Sequence, residues 1–337
     1  MVGSLGNTGA RRVRAVGLLS GGLDSSLAVR VLQEQAVEVL GLTFRSCFFE
    51  TAHAEEAARH LSIPLRIIDF SAEHLEMVRK PPHGYGKGMN PCIDCHALMF
   101  HHAGRLMEAE GYDFIFTGEV LGERPMSQNR QSLAVVAEES GYADFLLRPL
   151  SAKLLPPTKP EREGLIDRSR LLAIRGRSRK PQMELAARYR LTEYPTPAGG
   201  CRLTDPNFSK RLADLFQHSP QAGARDVELL KLGRHFRLSP AVKVVMGRNR
   251  TENEQLLALR RPGELHLVVI GPPAPDVIIP GTDKVSEEHI LLAARLAVTY
   301  SDAPQEEPAT VRLTDGGQQR DLLVRALPRT EAQTSLI

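Results

Sequence analysis

The first half of the chain alternates short apolar runs with segments whose apolar residues recur at helical spacing. The pattern predicts buried strands at 13–19, 37–44, 65–70 and 114–117, with helices after the first strand and at 52–61 and 97–110. Strands that alternate with helices predict an α/β domain built on a doubly wound parallel sheet. Ligands of such sheets bind beyond the carboxyl ends of the strands, so motifs that follow a strand are the first functional candidates.

The second half changes character after residue 150, where proline and charged residues become frequent. From about residue 227 the apolar runs are short and bounded by Gly and Pro, which predicts a smaller, separate α+β domain. The predicted organisation is a flexible segment at 1–12, the α/β domain at 13–150, a basic linker and helical region at 151–222, the α+β domain at 223–303 and a tail at 304–337. Within it we expect a helix at 165–190, a loop at 194–201, and a partly disordered tail in which 310–313 and 322–326 have strand character.

Composition excludes several classes of protein. The chain has 337 residues, of which 42% are hydrophobic and 25% charged, as in ordinary soluble proteins. No apolar run approaches the roughly 20 residues of a membrane helix, and the N-terminus lacks the apolar stretch of a signal peptide. We therefore expect a cytoplasmic protein without membrane association. The sequence does not tell whether the protein is a monomer or an oligomer.

The formal net charge of +3 conceals a basic segment between Arg168 and Arg190, in which Glu184 is the single acidic residue. This concentration suits contacts with nucleic acid phosphates. The candidates are Arg175, Arg177, Arg179 and Lys180. A solvated helix face would have the same composition, so the segment alone does not establish RNA binding.

A candidate phosphate loop follows the first predicted strand and opens a predicted helix. Its sequence is Ser20-Gly21-Gly22-Leu23-Asp24-Ser25-Ser26. The glycines let the backbone approach a phosphate, the serine hydroxyls lie beside helix amides, and Asp24 is suited to hold Mg²⁺ between pyrophosphate oxygens. The motif lacks the GxxxxGK[ST] pattern of P-loop nucleoside triphosphatases. A glycine turn followed by a serine helix cap is the structural alternative.

This loop resembles the PP-loop of the ATP pyrophosphatase superfamily, whose members cleave ATP between the α and β phosphates and adenylate a substrate oxygen. The resemblance implies an adenine nucleotide alpha hydrolase-like fold. It also implies that ATP and Mg²⁺ bind at Ser20, Gly21, Gly22, Asp24, Ser25 and Ser26. The acceptor remains open, because the superfamily includes tRNA thiolases, amide-forming synthetases and NAD synthetase.

Cysteines in a reducing compartment indicate metal binding or catalysis rather than disulfides. Cys92 and Cys95 form a CxxC at the start of a predicted helix, where amides and the helix dipole stabilise thiolates. Two sulfurs are too few for a tetrahedral site, and Cys201 in a Gly-rich loop is the natural third. Three cysteines suit a [4Fe-4S] cluster with one open iron; a persulfide with a resolving thiol needs no metal, and zinc with a neighbouring histidine is a third option. Cys47 is expected to be a buried hydrophobic residue.

Two segments resemble enzymes that place sulfur in tRNA. The sequence NPCIDCHALMF resembles the cysteine segment of the tRNA 2-thiouridylases, and its two cysteines match the pattern of the cluster-dependent tRNA thiolases. The sequence TGEVLG at 117–122 resembles a segment of the tRNA 4-thiouridine synthases, with Glu123 in place of that family's Gln. The second resemblance implies a nucleotide and uridine pocket lined by Thr117, Gly118, Glu119 and Gly122. A simple turn at the strand end is the alternative.

Residues 225–303 resemble the RNA-binding module at the C-terminal end of the NFACT ribosome-quality-control proteins. The resemblance rests on VVMGRN at 244–249 and on AARLAVTYS at 293–301. It implies an RNA-binding fold, with Lys243, Arg248 and Asn249 as the residues most suited to contact RNA.

Together these features predict an ATP-dependent tRNA sulfurtransferase with Cys92, Cys95, Cys201 and Asp24 as catalytic residues. A uridine carbonyl oxygen is adenylated, and sulfur from a sulfide or persulfide carrier displaces AMP. Two other classes explain less of the chain. A PP-loop amide ligase that adenylates a carboxylate leaves the cysteines unused, and a non-catalytic RNA-binding protein leaves the intact phosphate loop unexplained.

Overall fold

The computed structural model describes residues 11–192, 194, 201–281 and 284–337, which form two compact units, Met1–Arg202 and Leu203–Ile337. The first unit contains β1 (Arg14–Leu18), α1 (Leu23–Gln33), β2 (Glu38–Arg45), α2 (Ala52–Leu61), β3 (Leu65–Asp69), α3 (Ser71–Arg79), α4 (Cys92–Glu110), β4 (Phe114–Thr117), α5 (Arg130–Glu139), β5 (Leu146–Leu147), α6 (Lys159–Arg162) and α7 (Lys180–Arg188). The second contains α8 (Pro206–His218), α9 (Ala224–Leu230), β6 (Arg234–Ser239), β7 (Val242–Met246), α10 (Arg250–Leu259), β8 (Leu265–Val269), β9 (Val277–Ile279), α11 (Glu287–Thr299), β10 (Ala309–Asp315), β11 (Gln318–Val324) and α12 (Arg329–Thr334). Most of the segment predicted to be flexible at 1–12 lies outside the described residues.

The first unit is built on a five-stranded parallel sheet in the order β3-β2-β1-β4-β5. Successive side chains of β1 enter different cores, because strand residues alternate between the two faces of a sheet. Ala15 packs with Leu27 of α1 on one face, and Val16 packs with Phe100 of α4 on the other. Helices therefore cover both faces, which confirms the predicted α/β doubly wound fold.

The strand order reverses between β1 and β4, and this reversal opens a crevice at the carboxyl ends of the two strands. The two strands approach closely because β1 has a glycine at its centre. A Cβ atom on Gly17 would lie only 2.2 Å from the ring of Phe116. The phosphate loop follows β1 and the TGEVLG segment follows β4, so both motifs lie at the edge where ligands of this fold bind.

The prediction of a helix at 165–190 is wrong for the first half of that range. That stretch contains a short 3₁₀ helix at Arg168–Arg170 and then irregular chain, and only α7 is an α-helix. The physical reason is a tertiary contact: Gly176 has a positive φ of 84° and its amide donates to the Leu121 carbonyl oxygen at 2.8 Å.

Among the described residues, no helix has the length and apolar character needed to span a bilayer.

The second unit is the predicted smaller α+β domain. Its six strands form an antiparallel sheet in the order β11-β10-β8-β9-β7-β6, with the core against α11 on one face and a smaller cluster with α10 on the other. The strand character expected at 310–313 and 322–326 is present in β10 and β11, which pair along their length and add to this sheet, so the partial disorder expected of the tail is not found there. Alternate residues Val311 and Leu313 are buried in the core, so this stretch is ordered strand.

Candidate active site

The phosphate loop joins β1 to α1 in a backbone shape that glycine makes possible. Gly21 has a positive φ of 83°, and a Cβ atom there would lie 2.4 Å from the backbone of His53. Gly22 caps α1, and its carbonyl oxygen accepts the Ser25 and Ser26 hydroxyls at 2.9 and 3.1 Å. The loop thus combines a left-handed glycine, tight packing and a helix N-terminus, which are the features of a phosphate cradle.

The segment after β4 packs directly on the phosphate loop. A Cβ atom on Gly118 would lie 2.4 Å from backbone atoms of both Asp24 and Ser25. Thr117 is buried at the end of β4, and Gly122, with a φ of 78°, turns the chain beside Gly176. The structure therefore brings together the two motifs that the sequence placed in the nucleotide pocket.

Glu119 differs from the other predicted pocket residues because it is held in a buried network. Its carboxylate accepts from Arg148 Nε at 2.8 Å and is bonded to His96 Nδ1 at 2.7 Å, while Arg148 also donates to the Leu133 carbonyl oxygen at 3.0 Å. Burial raises the pKa of Glu119, but Arg148 and His96 outweigh burial and lower this pKa to about 2. Glu119 thus links the end of β4 to α4 and to the chain after β5 rather than contacting a ligand.

Asp24 lies in a mixed cluster of charges beside the loop. Its Oδ1 is buried without a hydrogen-bond partner among the described residues. Burial raises the pKa of Asp24, whereas Arg179, Gln182 and Arg124 act to lower it. Burial and the Asp24 charge also raise the pKa of Glu123. A buried carboxylate oxygen with no partner fits a Mg²⁺ ligand, which is the role expected for Asp24.

The three cysteines predicted to act together lie in one neighbourhood. Burial raises the pKa of Cys95 well above its usual value, and the charges of Cys201 and Cys92 raise this pKa further. Cys95 Sγ is 3.1 Å from His74 Nε2, and Nδ1 of that histidine is 3.0 Å from Ser46 Oγ, contacts that the sequence did not reveal. Burial also raises the pKa of Cys92, which opens α4, whereas Arg124 partly lowers it. Residues 195–200 of the predicted loop lie outside the described residues.

The described residues do not show a site for the expected [4Fe-4S] cluster. Within the described ranges, no group of three or more His, Cys, Asp or Glu side chains is placed to hold a metal ion. Cys95 Sγ lies within hydrogen-bond distance of His74 Nε2. Two histidines next to the CxxC, which would be the zinc ligands in the third option, have carboxylate partners: His96 contacts Glu119, and His102 contacts Glu73 at 2.8 Å. The metal-free alternative, a persulfide with a resolving thiol, needs no such group.

The basic segment divides into exposed and enclosed side chains. Arg175, Arg177 and Lys180 are exposed and available to a large polyanion. Arg179 is only half-buried, its Nε has no hydrogen-bond partner among the described residues, and its charge acts on Asp24. Three of the four predicted RNA contacts in this unit therefore lie on the surface, and the fourth lies beside the phosphate loop.

The RNA contacts predicted in the second unit are engaged within the protein. Lys243 is buried on β7 and donates to Asp214 Oδ2 at 3.3 Å, so its side chain is not on an RNA-binding surface as predicted. Burial lowers the pKa of Lys243 to about 8, although Asp214 acts to raise it. Arg248 pairs with Glu252, and the Asn249 side chain caps α10. Arg248 and Asn249 both keep exposed surface, whereas Lys243 does not.

Both units match known protein families. Residues 13–156 match the family model described as the tRNA methyl transferase HUP domain, and residues 233–335 match the model described as the NFACT protein RNA binding domain. Both matches agree with the resemblance inferred from the sequence: the first unit resembles PP-loop tRNA thiolation enzymes, and the second resembles the NFACT RNA-binding module.

Individual proteins are similar to parts of the chain or to most of it. The tRNA-specific 2-thiouridylase MnmA of Xanthobacter autotrophicus is 27% identical over 160 residues, covering 42% of this chain and 41% of that protein. The MnmA of Magnetococcus marinus is 24% identical over 339 residues, covering 89% and 88%. The crystal structure of a 4-thiouridine synthetase–RNA complex with bound ATP is 25% identical, covers 41% of this chain and 36% of that one, and has a TM-score of 0.33. The chain spans about two fifths of the length of the first two curated relatives it matches.

Proposed function

We propose that this protein is an ATP-dependent tRNA sulfurtransferase. A uridine carbonyl oxygen attacks the α phosphorus of ATP, so that pyrophosphate leaves and the oxygen is adenylated. A sulfur nucleophile then adds to the same carbon, and AMP departs with that oxygen. Adenylation is needed because a pyrimidine carbonyl oxygen is a poor leaving group, whereas AMP is a good one.

The observation that carries the proposal is the shared environment of the phosphate loop and the cysteines. The charge of Arg124 acts on the pKa of both Asp24 and Cys92, so the nucleotide loop and the sulfur site form one electrostatic neighbourhood. An amide ligase would need only the loop. The match of residues 13–156 to a tRNA-modifying family, and the names of the relatives, favour tRNA as the acceptor.

The sulfur route that these residues support uses a persulfide. A persulfide carrier transfers its outer sulfur to one cysteine, and that sulfur attacks the adenylated carbon as AMP leaves. A second cysteine thiolate attacks the Sγ of the first, forms a disulfide and releases the thiouridine. An external dithiol then reduces the disulfide. Cys92, Cys95 and Cys201 are the three candidates, and Mg²⁺ bound at Asp24 neutralises the pyrophosphate charge.

The tRNA is held mainly through phosphates, with the exposed Arg175, Arg177 and Lys180 and the NFACT-like unit as the proposed contacts. The target uridine must leave its base stack to reach a site at the sheet edge, as in other base-modifying enzymes.

The test compares tRNA nucleosides by mass spectrometry in cells that lack the gene and cells complemented with wild-type or variant protein. We expect one thiouridine to be missing without the gene, restored by the wild type and by Cys47→Ala, and not restored by Cys92→Ser or Cys201→Ser. Cys47 is the matched control because it is buried outside the proposed trio. An unchanged nucleoside profile in the deleted strain, or full restoration by Cys92→Ser, would contradict the proposal.

A further inference from the structure

Four buried polar atoms without hydrogen-bond partners meet where α7 packs on α1. They are Asp24 Oδ1, Arg179 Nε, and both Nε2 and Oε1 of Gln182. Gln182 is fully buried, at 0% exposure. Its amide lies beside the Asp24 carboxyl and helps to lower that pKa, yet neither amide atom reaches hydrogen-bond geometry with any described residue.

Buried polar groups nearly always have partners, and each exception asks for an explanation. An amide and a guanidinium Nε that stay unpaired beside a phosphate loop are explained by a ligand that supplies the missing partners. The ligand must offer acceptors to the Arg179 guanidinium and a cation to the Asp24 carboxylate. A pyrophosphate group with its divalent cation offers both, because Arg binds phosphate oxygens strongly and Mg²⁺ takes carboxylate and phosphate oxygens together.

The neighbouring basic residues show that Arg179 differs from the rest of its segment. Arg175, Arg177 and Lys180 are exposed, as a surface for RNA requires, whereas Arg179 is half-buried. The charge of Arg179 acts on Asp24 and also on Glu123, which directly follows the TGEVLG segment. Arg179 therefore belongs to the environment of the phosphate loop.

We propose that Arg179 and Gln182 are nucleotide-site residues: Arg179 binds the pyrophosphate portion of ATP, and Gln182 is a positioning residue that holds Asp24 for the accompanying Mg²⁺. This inference rests on the proposed ATP-dependent function. It assigns Arg179 to the nucleotide rather than to the RNA, where the sequence placed it.

The first experiment measures binding of ATP, inorganic pyrophosphate and AMP to the full-length protein by calorimetry, without tRNA. Arg179→Gln raises the Kd for ATP and for pyrophosphate by about 10- to 100-fold, the loss expected for one charge-assisted contact to phosphate, and leaves the Kd for AMP within about twofold. Arg188→Gln, on the same helix but exposed and paired with Glu34, is the matched control and changes none of the three. The unchanged AMP affinity separates a lost pyrophosphate contact from a misfolded site.

Three outcomes would overturn this assignment: wild-type affinity of Arg179→Gln for ATP and pyrophosphate, equal weakening of ATP and AMP, or weaker tRNA binding with ATP binding unchanged. A wild-type protein that binds neither ATP nor pyrophosphate would instead refute the proposed function itself.

The second experiment addresses Gln182 through Gln182→Leu, which keeps the side-chain volume and removes the unpaired amide. If Gln182 had a purely structural role, its substitution would change only the unfolding temperature of the protein. We expect no loss of unfolding temperature, together with a weaker effect of Mg²⁺ on the Kd for ATP and weaker Mn²⁺ binding by electron paramagnetic resonance in the presence of ATP. A wild-type Mg²⁺ dependence and Mn²⁺ affinity in Gln182→Leu would overturn the positioning role.

Discussion

Replacing Arg148 by Met tests the network that joins the ends of β4 and β5 to α4. Glu119 and Arg148 have side chains only 4% and 8% exposed, and their hydrogen bond is 2.8 Å long. The variant leaves the Glu119 carboxylate buried with His96 as its remaining partner. Removing one member of a buried ion pair typically costs about 3–5 kcal/mol, because the other charge stays buried without compensation.

The pKa of Glu119 gives an independent magnitude. A pKa of about 2 in place of 4.5 corresponds to about 3 kcal/mol in favour of the ionised carboxylate in the folded state. Because the folded-state pKa is lowered, this stabilisation is fully present above the unfolded value of 4.5 and is lost as the pH falls toward 2. The destabilisation by Arg148→Met is therefore about 3 kcal/mol at pH 7 and shrinks below pH 4.5.

The assay follows urea unfolding by the oxidation of buried methionines with peroxide, since the chain contains no Trp. Met107, 3% exposed, reports on the first unit, and the fully buried Met246 reports on the second. Arg162→Met is the matched control: its ion pair with Asp144 is 2.7 Å long but about half exposed on both sides, so we expect a cost below about 1 kcal/mol. A cost below 1 kcal/mol for Arg148→Met, or one that is equal at pH 7 and pH 3, would refute this reasoning.

Three further changes test other parts of the structure. Gly118→Ala places a Cβ atom 2.4 Å from the phosphate-loop backbone and should raise the Kd for ATP at least about 10-fold. Gly223→Ala, whose Cβ atom meets open space, is the control and should leave this Kd unchanged. Equal ATP affinities of the two variants in calorimetry would contradict this expectation. Cys95 is buried and has a raised pKa, so iodoacetamide at pH 8 should label Cys92 before Cys95 in a mass-spectrometric time course. Equal labelling rates of these two cysteines would count against the described environment. Lys243→Met should lower the urea midpoint of the second unit and leave RNA affinity unchanged in a filter-binding assay; the opposite pair of results would return Lys243 to the RNA surface.

The strands β1 to β4 were predictable because each is a short, nearly continuous apolar run. The run at 114–117 coincides with β4, and the helix at 52–61 coincides with α2. Prediction failed where few apolar residues mark an element or where a distant contact decides the backbone. In α3 only three of nine residues are buried, so its pattern is faint. The chain around Gly176 follows its bond to Leu121 rather than the helical tendency of its own residues.

The meeting of the phosphate loop with the TGEVLG segment was also predictable, because the carboxyl ends of parallel strands lie on one edge. The partners of the charged residues were not. Glu119 and Arg148 are 29 residues apart, and His74 and Cys95 are 21 apart. No local signal relates such pairs, since the pairing depends on how β4, β5, α3 and α4 come together. Lys243 was mistaken for an RNA contact for the same reason: it lies on β7, and its partner Asp214 lies on α8, 29 residues away.

Some buried polar groups in this protein have partners within the protein, and others do not. Glu119 and Lys243 are buried with their counter-charges in hydrogen-bond contact, and such pairs are complete without a ligand. Asp24, Arg179 and Gln182 have buried polar atoms that the described residues leave unpaired. Arg30 Nε and His235 Nδ1 are unpaired as well, so an unpaired atom alone does not identify a functional residue. Asp24, Arg179 and Gln182 differ because they lie together beside the phosphate loop, where one ligand can supply all the missing partners.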